Sequence, residues 1–189
     1  MQLSSGITDE TLFQWGVVIG ASLVAAIYDL RTRRIPNALT VPLLAAGLVW
    51  AAWRGGLSGL AEAVGACFLL ALPYVLLFLY AKGGAGDAKL MGAIGAWLGL
   101  AQGITVLLCV VTAGCVLAIA TALAKKRLKS VLTSIFLSFY RFMLLLSGYR
   151  TMQHTADRDD VDQRYDLTIP YGVAIFAGVC VAGGIVLIW

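Results

Sequence analysis

The chain reads as an all-α polytopic membrane protein, with about six transmembrane helices and one further helix lying in the interface. Three observations carry this reading. Of its 189 residues 60% are hydrophobic and only 13% are charged, and a mean hydropathy of +0.89 is far above what a soluble domain sustains. The apolar residues fall in runs close to the roughly 20 residues that a helical crossing needs. Basic residues cluster in alternate connections, the asymmetry that orients helices in a bilayer.

In order, the runs are Leu12 to Tyr28, Ala38 to Trp53, Leu60 to Ala81, Leu90 to Leu100, Ile104 to Ala124, Val131 to Leu146 and Ile169 to Trp189. Met1 to Glu10 holds no basic residue, so the first run lacks the charged start of a secretory signal and is expected to be a retained span. Leu90 to Ala124 is too long for one crossing at about 1.5 Å per residue, and Gly99 to Gly103 offers a break that leaves a short fourth span. Pro73 is expected to kink the third span.

The run from Ser130 to Leu146 needs a decision. Ser130, Ser134, Ser138 and Arg141 line one helix face, so this helix either lies in the interface with Arg141 snorkelling or crosses with its polar face inward. Lying flat, it leaves the basic residues of 31–34, 82–89 and 125–164 on one side and Arg54 alone on the other. The basic side is then cytoplasmic, with both termini outside. The chain 1–189 forms one membrane domain, in which 125–166 is a cytoplasmic insertion bearing the interfacial helix and an acidic run of Asp157, Asp159, Asp160, Asp162 and Asp166.

The composition also removes several function classes. The four cysteines, Cys67, Cys109, Cys115 and Cys180, lie within apolar runs and form no CxxC pair, and His154 is the single histidine. A zinc site, a disulfide framework and a Ser-His-Asp triad are therefore not expected, and neither a metal nor a cofactor is implied. The lipid bilayer is the expected surrounding, and no nucleic-acid partner is indicated.

Two aspartates remain at the edges of the apolar runs, Asp29 after the first and Asp87 in Gly84-Ala85-Gly86-Asp87 before the fourth. A carboxylate at the edge of hydrocarbon costs roughly 2.5 to 3.5 kcal/mol on insertion scales, which marks it as a functional candidate. The alternation of spans puts both at the cytoplasmic boundary. Gly84 and Gly86, beside Gly83, allow positive φ and close backbone approach in the turn before Asp87. Two carboxylates a few Å apart share a proton, one serving as base on a water and the other as acid toward a carbonyl. Residue chemistry alone leaves three readings open: an aspartic protease, a proton-coupled transporter using the same carboxylates, and a non-catalytic assembly subunit in which Asp29 pairs with its neighbouring arginines.

The order of three blocks resembles a known family. Asp29 through Arg31, Arg33, Arg34, Ile35, Pro36 and Asn37, then Gly84 through Asp87, Lys89, Leu90 and Met91, then Ile169, Pro170, Tyr171 and Gly172 are similar to the signature blocks of the type IV prepilin peptidases. The resemblance spans nearly the full chain and implies an intramembrane GxGD aspartyl protease with Asp29 and Asp87 as its catalytic pair. Longer members carry an added cytoplasmic region with paired CxxC motifs, associated with N-methylation of the cleaved pilin. This sequence supplies no such cysteines and is similar to the short, peptidase-only branch of tight-adherence (Flp-type) pilus systems, so methyl transfer is not expected. The resemblance further implies the bacterial inner membrane, prepilin and pseudopilin substrates with a basic leader and an apolar helix, and proximity to pilus assembly machinery.

The flanking residues have readings of their own. Pro36 disfavours helix at Ile35 and fits the first turn of the second helix, marking a hard turn after Asp29. Asn37 caps or orients that turn. Lys89 either snorkels to lipid phosphates or stands near the aspartates. Pro170 opens the last span where a missing N–H is harmless, Tyr171 suits the interface, and Gly172 follows them.

Overall fold

The computed structural model describes residues 9–81, 84–124 and 171–188. They form four helices, α1 (Asp9–Thr32), α2 (Asn37–Ala81), α3 (Ala85–Ala124) and α4 (Tyr171–Ile188), each long and apolar enough to cross a membrane. The chain divides into two compact units, 1–114 with 170–189, and 115–169. Of the second unit, only the end of α3 lies among the described residues. Lys82, Gly83, Pro170, the Ser130 to Leu146 helix and the acidic run all lie outside them.

The first helix ends where its termination is useful. Asp9 and Glu10 occupy its first turn and Arg31 its last, matching the helix dipole at both ends. Arg33 takes the left-handed conformation, φ 52°, and its amide donates to the Asp29 carbonyl at 2.9 Å, an αL termination. Three residues later the Pro36 carbonyl accepts from the Leu39 and Thr40 amides at 3.1 and 3.4 Å, so Pro36 acts as the N-cap carbonyl of α2. The hard turn expected after Asp29 is thus confined to the few residues between these two helix ends.

Two glycines turn the long helices back on themselves. In α2 the non-helical residue is Gly56, φ 58° and ψ −141°; in α3 it is Gly99, φ 71° and ψ −172°. A Cβ on Gly59 would lie 2.5 Å from the Ala51 carbonyl oxygen, whereas a straight helix would separate these residues by about 12 Å. In α3, Gly95 backs onto Ala66 and Gly99 meets Glu62, yet Gly103 returns to Leu70. Only a reversal at Gly99 gives that order. The break expected between Gly99 and Gly103 therefore falls at its first residue. The connection expected between Trp53 and Leu60 narrows to Gly56, and Pro42 and Pro73 both sit in helical dihedrals within α2.

Polar groups and aromatic rings gather at these reversals. The Trp97 indole donates to the Leu43 carbonyl at 2.8 Å, and Gln14 donates to the Trp97 carbonyl at 2.9 Å. The Leu100 amide, free where the helix restarts, donates to Glu62 at 3.4 Å. Arg54 pairs with Glu10 and stands 5.9 Å from the centre of the Trp50 ring, so the one basic residue expected on the outer side has local partners.

Small residues bring the helices into backbone contact. A Cβ on Gly178 would lie 2.5 Å from the Val110 Cα, and one on Gly183 would lie 3.1 Å from the Trp15 ring. Such close seams are how helices associate where lipid removes the hydrophobic incentive. Trp15, Leu70, Leu90, Met91, Ile94 and Ile175 are sealed between helices, while Leu57, Phe68 and Ile188 are 87, 72 and 82% exposed. Both faces are apolar, as expected of helices whose outer solvent is hydrocarbon.

Candidate functional site

Asp29 lies on the buried stripe of α1, with Ser22, Ala25 and Ala26 on the turns before it, and is only 8% exposed. A buried carboxylate needs partners. Its Oδ2 accepts the Gly172 amide at 2.8 Å, a bond sealed from solvent. That amide belongs to the first turn of α4, where backbone N–H groups have no intrahelical acceptor. Asp29 therefore caps a helix 143 residues away in sequence. The absence of a Cβ on Gly172 is essential, because one would lie 2.9 Å from the Asp29 Cβ and 3.1 Å from Oδ2.

Asp87 occupies the first turn of α3, its amide donating to the Gly84 carbonyl at 3.2 Å. Its carboxyl folds back over Gly84, whose Cβ would meet Oδ2 at 2.9 Å. Asp29 lies near enough for its charge to bear on this carboxyl. Gly86 lets the start of α3 press against Ile35, whose Cβ and carbonyl oxygen would be 2.9 and 3.4 Å from an added Cβ. The expected positive φ is absent from Gly84 and Gly86; among the described residues the left-handed glycines are Gly56 and Gly99. Gly86 lies inside the first turn of a regular helix, so its close approach to Ile35 is what requires glycine.

The flanking residues converge on the same region. Lys89 Nζ donates to Asn37 Oδ1 at 2.8 Å, tying the start of α3 to the start of α2 on the exposed rim. Lys89 is thus a strut between two helix starts, and Asn37 is its acceptor. Tyr171, expected at the interface, has an aromatic neighbour within the protein. Its ring packs edge-on against Tyr74, 5.9 Å between centroids at 71°, and its hydroxyl lies over Gly114.

Tyr74 is the residue that sequence reasoning passed over. It is 5% exposed, and its ring packs edge-on against Tyr171. The available signal is positional: Ala63, Ala66, Leu70 and Tyr74 are buried at helical spacing, a stripe that runs toward Asp87.

Among the described residues, no cluster of three His, Cys, Asp or Glu side chains could hold a metal ion. A cavity of about 250 Å³ opens at the helix reversals between Gln14, Trp50, Arg54, Glu62 and Trp97. It lies at the other end of α1 from Asp29; Gln14, Glu62 and Arg54 have partners within the protein, whereas the buried Trp50 indole nitrogen has none among the described residues.

Four helices long and apolar enough to cross a membrane mark a multi-pass membrane protein. Residues 16–123 match the type IV leader peptidase family, and the chain belongs to that family. It is 36% identical over 100 residues to the prepilin leader peptidase/N-methyltransferase of Burkholderia pseudomallei (strain K96243), covering 50% of this chain and 32% of the relative. Against the protein of the same description from Neisseria gonorrhoeae it is 34% identical over 93 residues, covering 45 and 32%. The corresponding protein of Klebsiella pneumoniae is 37% identical over 94 residues, covering 44 and 39%. The chain thus spans about a third of the length of the curated relatives it matches. No solved structure matches it.

Proposed function

We propose that this chain is an intramembrane aspartic endopeptidase that removes the basic leader of type IV prepilins and pseudopilins, with Asp29 and Asp87 as its catalytic pair. The observation that carries the proposal is the buried Asp29, held by the Gly172 amide and within electrostatic reach of Asp87 in the first turn of α3. Membership of the leader peptidase family supports the same chemistry.

The reaction follows from two carboxyls sharing one proton. The ionised carboxyl takes a proton from water as the water oxygen bonds to the scissile carbonyl carbon, and the protonated carboxyl gives its proton to the carbonyl oxygen. The gem-diol then collapses. A hydroxyl proton returns to the second carboxyl, the first passes its proton to the amide nitrogen, the C–N bond breaks, and the pair regains its single proton. Extended substrate backbone reaches the site where Gly84 and Gly86 carry no side chain.

The reversals at Gly56 and Gly99 support six crossings, with the four helices divided at those glycines. The basic residues of the Asp29 and Asp87 end support a site at the cytoplasmic face, and we assign it to a bacterial inner membrane. A substrate must offer a basic leader there and an apolar helix in the bilayer, and the acidic run Asp157 to Asp166 supplies the charge to attract that leader. We assign the substrate to the Flp type and expect no methyl transfer from these residues, whose four cysteines are dispersed. Pilus assembly machinery is the proposed wider partner.

The test is co-expression with an Flp-type prepilin in a host without its own prepilin peptidase, followed by mass spectrometry of the pilin. The expected product is shortened at the leader junction and has an unmethylated N-terminus. An uncut pilin would count against the peptidase, and a methylated one against the peptidase-only assignment.

A further inference from the structure

We propose that the cavity at the helix reversals holds the headgroup of an amine-bearing phospholipid, with Arg54 taking its phosphate and Glu62 its ammonium. The site is separate from Asp29 and Asp87 and does not rest on the peptidase reading. About 250 Å³ is open there, a volume that admits a headgroup but not its acyl chains. Trp50 and Trp97, stacked with 6.1 Å between ring centroids, form part of its wall. The Trp50 indole nitrogen is sealed from water and has no acceptor among the described residues. A buried donor left so is costly, and beside a cavity it points to an occupant that brings an acceptor.

The lining restricts what that occupant is. Arg54 meets Glu10 through Nη2, and a guanidinium has further N–H groups to give an anion. Glu62 accepts the Leu100 amide on Oε1 in a long 3.4 Å bond, which leaves Oε2 for a second donor. With Glu10 counted, one guanidinium stands against two carboxylates, so a purely anionic ligand is poorly matched and a phosphate joined to an amine is well matched. Position selects a lipid over a free phosphate ester. Helices long enough to span a membrane reverse here, at Gly56 and Gly99, which is the depth of headgroups. On either side of Arg54 and Gly55, Trp53 and Leu57 are 80 and 87% exposed and offer acyl chains an apolar contact that a soluble ester cannot use.

The experiment titrates the purified full chain in detergent with phosphatidylethanolamine, phosphatidylcholine and phosphatidylglycerol of identical acyl chains, and counts bound lipid by native mass spectrometry. Phosphatidylethanolamine should bind tightest, because a quaternary ammonium has no N–H for Glu62 and glycerol has no charge. Arg54→Gln should weaken all three roughly 10- to 100-fold, the range for losing a charge-assisted hydrogen bond. Glu62→Gln should weaken phosphatidylethanolamine by a similar factor and remove its margin over phosphatidylglycerol. Trp50→Phe should cost roughly three- to tenfold. Glu10→Gln removes the same ion pair as Arg54→Gln but neither proposed ligand group, so it should keep wild-type affinity. Equal binding of the three lipids, or unchanged affinity in both Arg54→Gln and Glu62→Gln, overturns the site. A loss in Glu10→Gln as large as that in Arg54→Gln also overturns it, since the ion pair then matters only for structure. Soluble glycerophosphoethanolamine binding as tightly as the lipid would overturn the lipid as occupant.

Discussion

Replacing Gly172 by alanine tests the geometry of the site with a single methyl group. The added Cβ would stand 2.9 Å from the Asp29 Cβ, 3.1 Å from Oδ2 and 3.3 Å from Cγ. The nearest of these atoms is anchored to the α1 backbone and cannot swing aside like a side-chain tip. Either α4 moves away from α1 or the Asp29 carboxyl turns, and both break the 2.8 Å bond from the Gly172 amide. Hydrogen bonds to charged groups contribute about 1.5 to 3 kcal/mol, so kcat/KM should fall roughly 10- to 150-fold. The assay is cleavage of a purified prepilin by enzyme reconstituted in liposomes, read at several substrate concentrations. Gly184→Ala on the same helix is the control, since nothing lies within 4 Å of its Cβ. Equal, undiminished kcat/KM in both variants would refute the claim that the start of α4 holds Asp29.

Two further outcomes test other parts of the arrangement. If Lys89 and Asn37 act as one strut, Lys89→Ala and Asn37→Ala should each lower kcat/KM about three- to tenfold, and the double change should be no worse; additive losses would mean that they act separately. In a background without the four native cysteines, a cysteine at Arg33 should label from the cytoplasmic side and one at Ser58 from the outer side. A cysteine at Asp159 decides the 130–146 helix: cytoplasmic labelling fits six crossings, whereas outer labelling means seven and removes the acidic run from leader binding.

The sequence made the helices and both acids legible for a simple reason: a charge or a glycine stands out against hydrocarbon. Asp29, Asp87 and the break near Gly99 were readable because each interrupts an apolar run whose length is fixed by the bilayer. Packing was not readable. Leu70 is fully buried while the nearby Phe68 is 72% exposed, and hydropathy cannot separate them because lipid and protein interior are equally apolar. Tyr74 was missed on that account, its aromatic ring blending into the run from Leu60 to Ala81. The role of Gly86 was half legible, since the need for close approach follows from the motif but the neighbour, Ile35, belongs to another connection. The cap that Asp29 gives α4 through the Gly172 amide joins residues 143 apart in sequence, and no local pattern announces it.

The central claim is that Asp29 and Asp87 work as one catalytic unit. Its most direct test is the turnover of Asp29→Asn, Asp87→Asn and the double variant, each shown to be inserted at wild-type amounts, on one reconstituted prepilin. Residues that act as a unit are not additive, so each single change should abolish cleavage and the double should be no worse than either. Substantial turnover by either single variant would contradict the account.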